Sequence, residues 1–478
     1  MHGLFWSVAE RAATQGITFV VLLLLARLLG PVTYGLVTLA ATIALFGQML
    51  LGETFSQALI QEKTIEPAHC ASVFWLLAGL GFLGGVAQFL AADWLARLFG
   101  QPDVAPVLKA LSPLLLLSGL QAVPIALLRR ELNFHAIFTA STSGTIVGGA
   151  VAVAMAFAGF GVWSLVTNLL LQNAILAVTI WRKSGFRPLL TFSKPHLGAL
   201  WSYGRYTLLS RVAAFAANQS PRLIVGYFFG PAILGNFSLG LRVVEMIYQL
   251  LVLPASNVIL PMIARIRENS QRLENAILGA THMTAVLAAA VYVTLAATAP
   301  IAIPLIFGGH WLASVPIVRI LCFYGVIVSC GQIWQSVLGG LGRPDIALRT
   351  TSAAAIANVG VLLLSRHWGP DAAAAAFVFR GYITLPFMPL IIARLTGLPA
   401  RRQYGVFLPI AAAALLMAGA ELGLMPLLAH HLRAPLLLAA TLVAGAIAYG
   451  SALYALDRRA LQKGFSILKH LQPQQASA

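Results

Sequence analysis

Charge is what this sequence has least of. Only 9% of its 478 residues are Asp, Glu, Lys or Arg, against about 25% in a typical soluble domain. Hydrophobic residues make up 59%, and a water-soluble chain of that composition would expose very large apolar patches. Acids are scarcer than bases: 14 Asp and Glu stand against 31 Lys and Arg, a formal net charge of +17. Few of those acids lie where paired carboxylates could work on a sugar or phosphate. There is no phosphate-cradling GxxxxGK[ST], no HExxH and no nucleophile elbow, so no enzyme, catalytic residue or cofactor is expected. The three cysteines, Cys70, Cys322 and Cys330, are odd in number and lack metal-ligand spacing. They read as small buried hydrophobes, and no metal site is expected. The basic residues are scattered between hydrophobic runs instead of forming one patch, which argues against nucleic acid as a partner.

What the sequence does have is long apolar runs. The bilayer core is about 30 Å thick and a helix needs about 20 apolar residues to cross it. Fourteen runs qualify: 8–29, 34–60, 71–99, 104–128, 134–158, 161–181, 200–229, 232–262, 276–306, 312–340, 346–364, 371–394, 404–425 and 435–456. The first 30 residues lack a basic start and a cleavage site and read as a retained first helix. With the N-terminus cytoplasmic, the inside segments hold 19 of the 31 Lys and Arg. The outside segments hold Arg27, Arg97, Lys109, Arg366 and Arg433. Cytoplasmic loops carry such an excess, so an even number of spans with both termini inside is expected. The fold class is therefore all-α: a polytopic membrane protein of about 14 transmembrane helices.

The chain also echoes itself. Gly30-Pro31-Val32-Thr33-Tyr34-Gly35 returns as Gly230-Pro231-Ala232-Ile233-Leu234-Gly235, each in a short turn between two long helices. The same offset aligns Arg11 with Arg211, and Phe99-Gly100 is matched by Phe307-Gly308. Duplication of a six-helix unit gives two lobes in the same membrane orientation, the parallel-repeat plan of some transporters. The expected organisation is an N-lobe at 1–182, a cytoplasmic linker at 183–199 and a C-lobe at 200–396. A C-terminal helix pair at 397–456 and a cytoplasmic tail at 457–478 follow.

Charges inside the spans are the candidate functional residues. An Arg at a helix centre costs roughly 2.5–3.5 kcal/mol to insert and normally faces a bundle interior or a watery cavity. Arg11, Arg205, Arg211, Arg222, Arg242, Arg319 and Arg380 lie within spans. Helical spacing groups some of them. Arg211, Phe215, Asn218 and Arg222 share one stripe; Arg242, Glu245 and Gln249 share another; Arg11, Gln15 and Thr18 a third, with Glu10 adjacent. These helices start the two lobes and are expected to face an interlobe cavity that is cationic overall, with Glu10, Glu53 and Glu245 as its acids. Such a cavity suits a phosphate or pyrophosphate head group. The competing reading is that Arg242–Glu245, and Arg11 with Glu10 or Glu53, are ion pairs that lock helices together. Gly81 with Gly85 and Gly144 with Gly148 have the GxxxG spacing of close helix contact.

The order of several short strings carries a family resemblance. Ala26-Arg27-Leu28-Leu29-Gly30-Pro31-Val32-Thr33-Tyr34-Gly35 is followed by Ala58-Leu59-Ile60-Gln61, then by Leu127-Leu128-Arg129-Arg130-Glu131-Leu132-Asn133-Phe134. Gly159-Phe160-Gly161-Val162-Trp163-Ser164-Leu165 and Leu341-Gly342-Arg343-Pro344-Asp345 complete the set. Over roughly residues 5 to 400 the chain resembles the polysaccharide-transport flippases (O-antigen and exopolysaccharide, Wzx-like) of the multidrug/oligosaccharidyl-lipid/polysaccharide exporter superfamily. The resemblance implies twelve core helices plus two C-terminal ones. It implies a flippase moving undecaprenyl-pyrophosphate-linked oligosaccharide across the bacterial inner membrane by alternating access. Its partners would be that lipid-linked substrate, membrane lipid, and a polysaccharide polymerase with its export machinery. Substrate contacts are expected from Arg11, Gln15, Arg211, Asn218, Arg222, Arg242 and Glu245. Two departures bear on ion coupling. Ser220-Pro221-Arg222 stands where the family often has an Asp, and Gly52-Glu53-Thr54-Phe55 replaces an Asp-Leu-Gly-Leu-like stretch. Glu53, or Glu10, would then be the coupling carboxylate. Alternatives are a cation-coupled multidrug exporter of the same superfamily and a membrane-embedded glycosyltransferase or polymerase.

Overall fold

The structure is a computed structural model. It describes residues 2–52, 67–191 and 194–471, with side chains described over 15–51, 67–191 and 211–457. Among the described residues every regular element is a helix. The first six are α1 (His2–Gly52), α2 (Pro67–Leu98), α3 (Val104–Leu111), α4 (Pro113–Arg130), α5 (Phe134–Phe157) and α6 (Val162–Ser184). Next come α7 (Lys194–Ile266), α8 (Ser270–Phe307), α9 (Val315–Gly340), α10 (Pro344–Ser365) and α11 (Pro370–Thr384). The last four are α12 (Phe387–Thr396), α13 (Ala400–Gly405), α14 (Phe407–Leu428) and α15 (Ala434–Leu471).

Twelve stretches among the described residues are long and apolar enough to cross a bilayer. Two of them, in α1 and α7, each hold two helices joined at a sharp break. The 73 residues of α7 would extend about 110 Å at 1.5 Å per residue, against a core of about 30 Å. Both are broken by glycine: Gly30 in α1 has φ 72°, ψ 174°, and Gly230 in α7 has φ 78°, ψ 179°. That region of backbone space is essentially reserved for glycine. Twelve stretches, two of them divided by a glycine, come close to the expected count of about fourteen.

By packing, the chain forms two compact units, Met1–Ser238 and Leu239–Ala478. In the first, the two Gly-Pro echoes meet. A Cβ on Gly35 would fall 2.7 Å from the carbonyl carbon of Pro231, and a Cβ on Gly235 would fall 2.7 Å from that of Pro31. The contact is reciprocal, residue for residue, so the repeat seen in sequence also pairs in space. Further along the same helices Gly226 packs on Leu39, and the rings of Phe46 and Phe215 lie 5.1 Å apart. Small residues also set the crossings of α2 with α4 and α5 with α6. A Cβ on Gly81 would meet Leu115 O at 2.7 Å, and one on Gly144 would meet Gln172 O at 2.6 Å. An aromatic cluster of Phe74, Trp181 and Phe186 closes one end, with Trp181 Nε1 donating to Leu120 O at 3.0 Å.

The second unit is built around Ile263, Ile277, Ile333, Trp334, Val337 and Met417, drawn from α7, α8, α9 and α14. Tyr292 of α8 is buried against Gly325 and donates to Val244 O at 3.0 Å. Cys70, Cys322 and Cys330 are buried and free, as their composition suggested.

Several strings that carried the resemblance are helix ends. Asn133 N–H donates to Leu128 O at 2.9 Å, and Arg343 N–H donates to Leu338 O at 2.9 Å. These are six-to-one closures around a left-handed residue, Leu132 at φ 57° and Gly342 at φ 73°. Phe160 N–H donates to Met155 O at 3.1 Å around Gly159 in the same manner. Asn133 Oδ1 then accepts from Ala136 N–H to cap α5, while Arg343 forms a two-pronged ion pair with Asp345 at the start of α10. The strings therefore specify tight helix hairpins, which position the segments that carry the charges.

Candidate functional site

The segment of α7 before Gly230 carries one stripe of long polar side chains among the described residues. Arg211, Phe215, Asn218 and Arg222 recur at helical spacing along it, in the first unit. Phe46 of α1 packs on Phe215 and Leu39 of α1 on Gly226, so Arg222 lies between two levels at which these helices touch. Arg211 and Arg222 are half-buried and Asn218 is exposed. The guanidinium of Arg222 donates through Nη1 to Gln219 Oε1 at 2.9 Å, a neutral amide one turn back. About 16 Å of helix axis separates the two arginines, at 1.5 Å per residue. A planar, permanently charged fork aimed from a helix of this kind is suited to phosphate oxygens.

Gln15 is half-buried on the first segment of α1. Its neighbour Gly16 opens an aliphatic groove of about 900 Å³ formed with α5, lined by Val20, Leu24, Ile146, Val153 and Phe157 among others. Arg242 and Glu245 lie on α7 after the break, in the second unit, three residues apart and both half-buried. The side chains of Glu10 and Arg11, and the whole of Glu53, lie outside the described residues, as does the side chain of Arg205. Within the first unit the structure therefore groups Arg211, Asn218 and Arg222 on one surface of one helix.

Three polar features escape sequence reasoning. Arg380, which helical spacing grouped with no other charge, is only 8% exposed, with its guanidinium 5.7 Å from the Phe377 ring. Its depth depends on α9 supplying Tyr324, whose ring packs on Phe377 at 4.7 Å, and spacing within one helix does not reveal that. His282 of α8 and Asp457 of α15 pair at 2.6 Å across 175 positions of sequence. Glu421 is the lone charge of α14 and is wholly buried. Its signal was present, since a single acid in an apolar span is as unusual as a single arginine.

The profile of a family described as "Polysaccharide biosynthesis protein" matches residues 24–316. The chain is 28% identical over 360 residues to the succinoglycan biosynthesis transport protein ExoT of Rhizobium meliloti (strain 1021), covering 75% of this chain and 72% of that one. It is 23% identical over 351 residues to the lipopolysaccharide biosynthesis protein WzxC of Escherichia coli (strain K12), covering 73% and 71%. Among solved structures, the lipid II flippase MurJ in an inward closed conformation superposes with a TM-score of 0.78 at 15% identity, covering 95% of this chain and 99% of that one. At that identity the likeness is one of fold.

Proposed function

This chain belongs to the polysaccharide biosynthesis protein family, and from that premise we propose that it is a flippase for a lipid-linked oligosaccharide. It acts in the cytoplasmic membrane during exopolysaccharide or lipopolysaccharide assembly. The observation that carries the reading is the half-buried pair Arg211 and Arg222 on one stripe of an apolar helix. A guanidinium stays charged at any biological pH. Two of them cost roughly 5–7 kcal/mol to hold at membrane depth. An anionic head group such as a pyrophosphate offsets that cost through forked, charge-assisted hydrogen bonds. Moving such a head group requires no bond to be made or broken, which agrees with a chain without catalytic motifs.

Arg11, Gln15, Asn218, Arg242 and Glu245 belong to the same proposed set of substrate contacts, with Glu10 and Glu53 as candidates for ion coupling. Both termini are assigned to the cytoplasm on the distribution of Lys and Arg between loops. Two six-helix repeats, a linker at 183–199 and a C-terminal pair form the proposed organisation, supported by the reciprocal Gly-Pro contact. The flipped oligosaccharide would pass to a polymerase and its export machinery.

Arg211→Ala and Arg222→Ala test the reading. Each removes a charged hydrogen bond worth roughly 1.5–3 kcal/mol, so polymer export should fall about tenfold or more at unchanged membrane levels. Wild-type export from both variants would overturn it.

A further inference from the structure

The C-terminal helices hold an ionisable side chain that the proposed transport of an anion does not use. Glu421 has no exposed surface, and neither of its carboxylate oxygens has a hydrogen-bond partner. It lies seven residues before the end of α14 at Leu428, about 10 Å along the axis. On one side it presses against the backbone of α15 at Gly445, where a Cβ would fall 2.7 Å from Glu421 Cδ. On another side the Thr294 hydroxyl of α8, which donates to Met417 Sδ at 3.3 Å, is the one polar neighbour near enough to interact with the carboxyl among the described residues, and it is neutral.

The helices packed on α14 are α8, α13 and α15. Among the described residues their titratable groups lie elsewhere, and the side chains of Arg458, Arg459, Lys463, Lys469 and His470 at the far end of α15 lie outside the described residues. On α8, Glu274 pairs with Arg402 of α13, His282 pairs with Asp457 of α15, and Tyr292 donates to Val244 O. Arg272 and Arg401 are exposed near the starts of their helices. On α13, Tyr404 donates to Pro386 O. On α15, Tyr449 donates to Val286 O and Tyr454 is exposed, while His430, His431 and Arg433 are exposed in the turn before that helix. α14 carries no charge of its own besides Glu421. An ionised carboxylate in that setting would have no exposed surface and no counter-charge among the described residues, and a group so placed neutralises by taking up a proton.

We propose that Glu421 is a proton-binding site of the C-terminal helix pair, neutral while α8, α14 and α15 are packed and ionised when their separation lets water reach it. The exchange is one proton: the carboxylate takes it from bulk water and returns it there, with no other bond altered. This holds whatever cargo the chain moves.

The test is infrared difference spectroscopy of the full-length protein against Glu421→Gln across a pH series. Glutamine has the shape of the neutral acid, so the variant should fold and reach wild-type levels. At neutral pH the wild type should show a carboxylic-acid carbonyl band that the variant lacks, replaced by carboxylate bands as pH rises. Three results would overturn the proposal: carboxylate bands alone at neutral pH, an acid band that survives at every pH where the protein stays folded, or an isosteric variant that does not fold. None depends on the substrate, so loss of this proposal and loss of the flippase reading are separately visible.

Discussion

Replacing Gly35 by alanine sets a methyl group 2.7 Å from the carbonyl carbon of Pro231 and 2.9 Å from the amide nitrogen of Gly235. The carbonyl oxygen of Pro231 lies closer still, far inside ordinary van der Waals contact, so the two helical segments must part to admit the methyl group. The obstacle is backbone at the start of a helix, which cannot swing aside as a side chain can. Overpacking of this kind costs roughly 1–3 kcal/mol, from which the better helix propensity of alanine subtracts about 0.5–1 kcal/mol. The expected net loss is about 2 kcal/mol at the upper end of that range. Gly235→Ala meets Pro31 at the same 2.7 Å and should lose the same amount.

The reciprocity makes a sharper statement. Both methyls press on one seam, so a single separation accommodates both, and the double variant should lose about as much as either single one. Contacting residues commonly depart from additivity in this way. Gly79→Ala is the control, because nothing lies within 4 Å of that position. It should be neutral or gain about 0.5–1 kcal/mol. Thermal and denaturant unfolding of the purified protein would measure all four variants. A Gly35→Ala protein that unfolds like Gly79→Ala, or singles that sum in the double, would refute the paired-turn geometry.

Other outcomes follow from single contacts. His282→Ala leaves the half-buried Asp457 without its partner and should cost about 1–3 kcal/mol, most of it recovered in His282→Ala/Asp457→Ala; equal losses in single and double variants would deny the pair. Leu132 adopts φ 57°, which costs a residue with a side chain roughly 1–2 kcal/mol. Leu132→Gly should therefore raise the unfolding temperature, and Gly342→Ala, at φ 73° in the equivalent turn, should lower it. Shifts of the opposite sign would show that these turns are not closed as described.

The sequence by itself determined the fold class, the approximate number of apolar segments and the places where several of them turn. Those features rest on local physics. A bilayer demands about 20 apolar residues per crossing, and Gly-Pro or a left-handed cap ends a helix wherever it stands. The Gly30 and Gly230 breaks and the arginine stripe from Arg211 to Arg222 were legible for that reason. Tertiary structure decided which of the charges are buried and what meets them. The depth of Arg380 depends on Tyr324 of another helix, and His282 meets Asp457 across 175 positions. Glu421 is enclosed by Gly445 and Thr294 from two different helices. Helical periodicity fixes only the face on which a side chain lies, and the cost of a charge there is set by neighbours that the chain brings in from elsewhere.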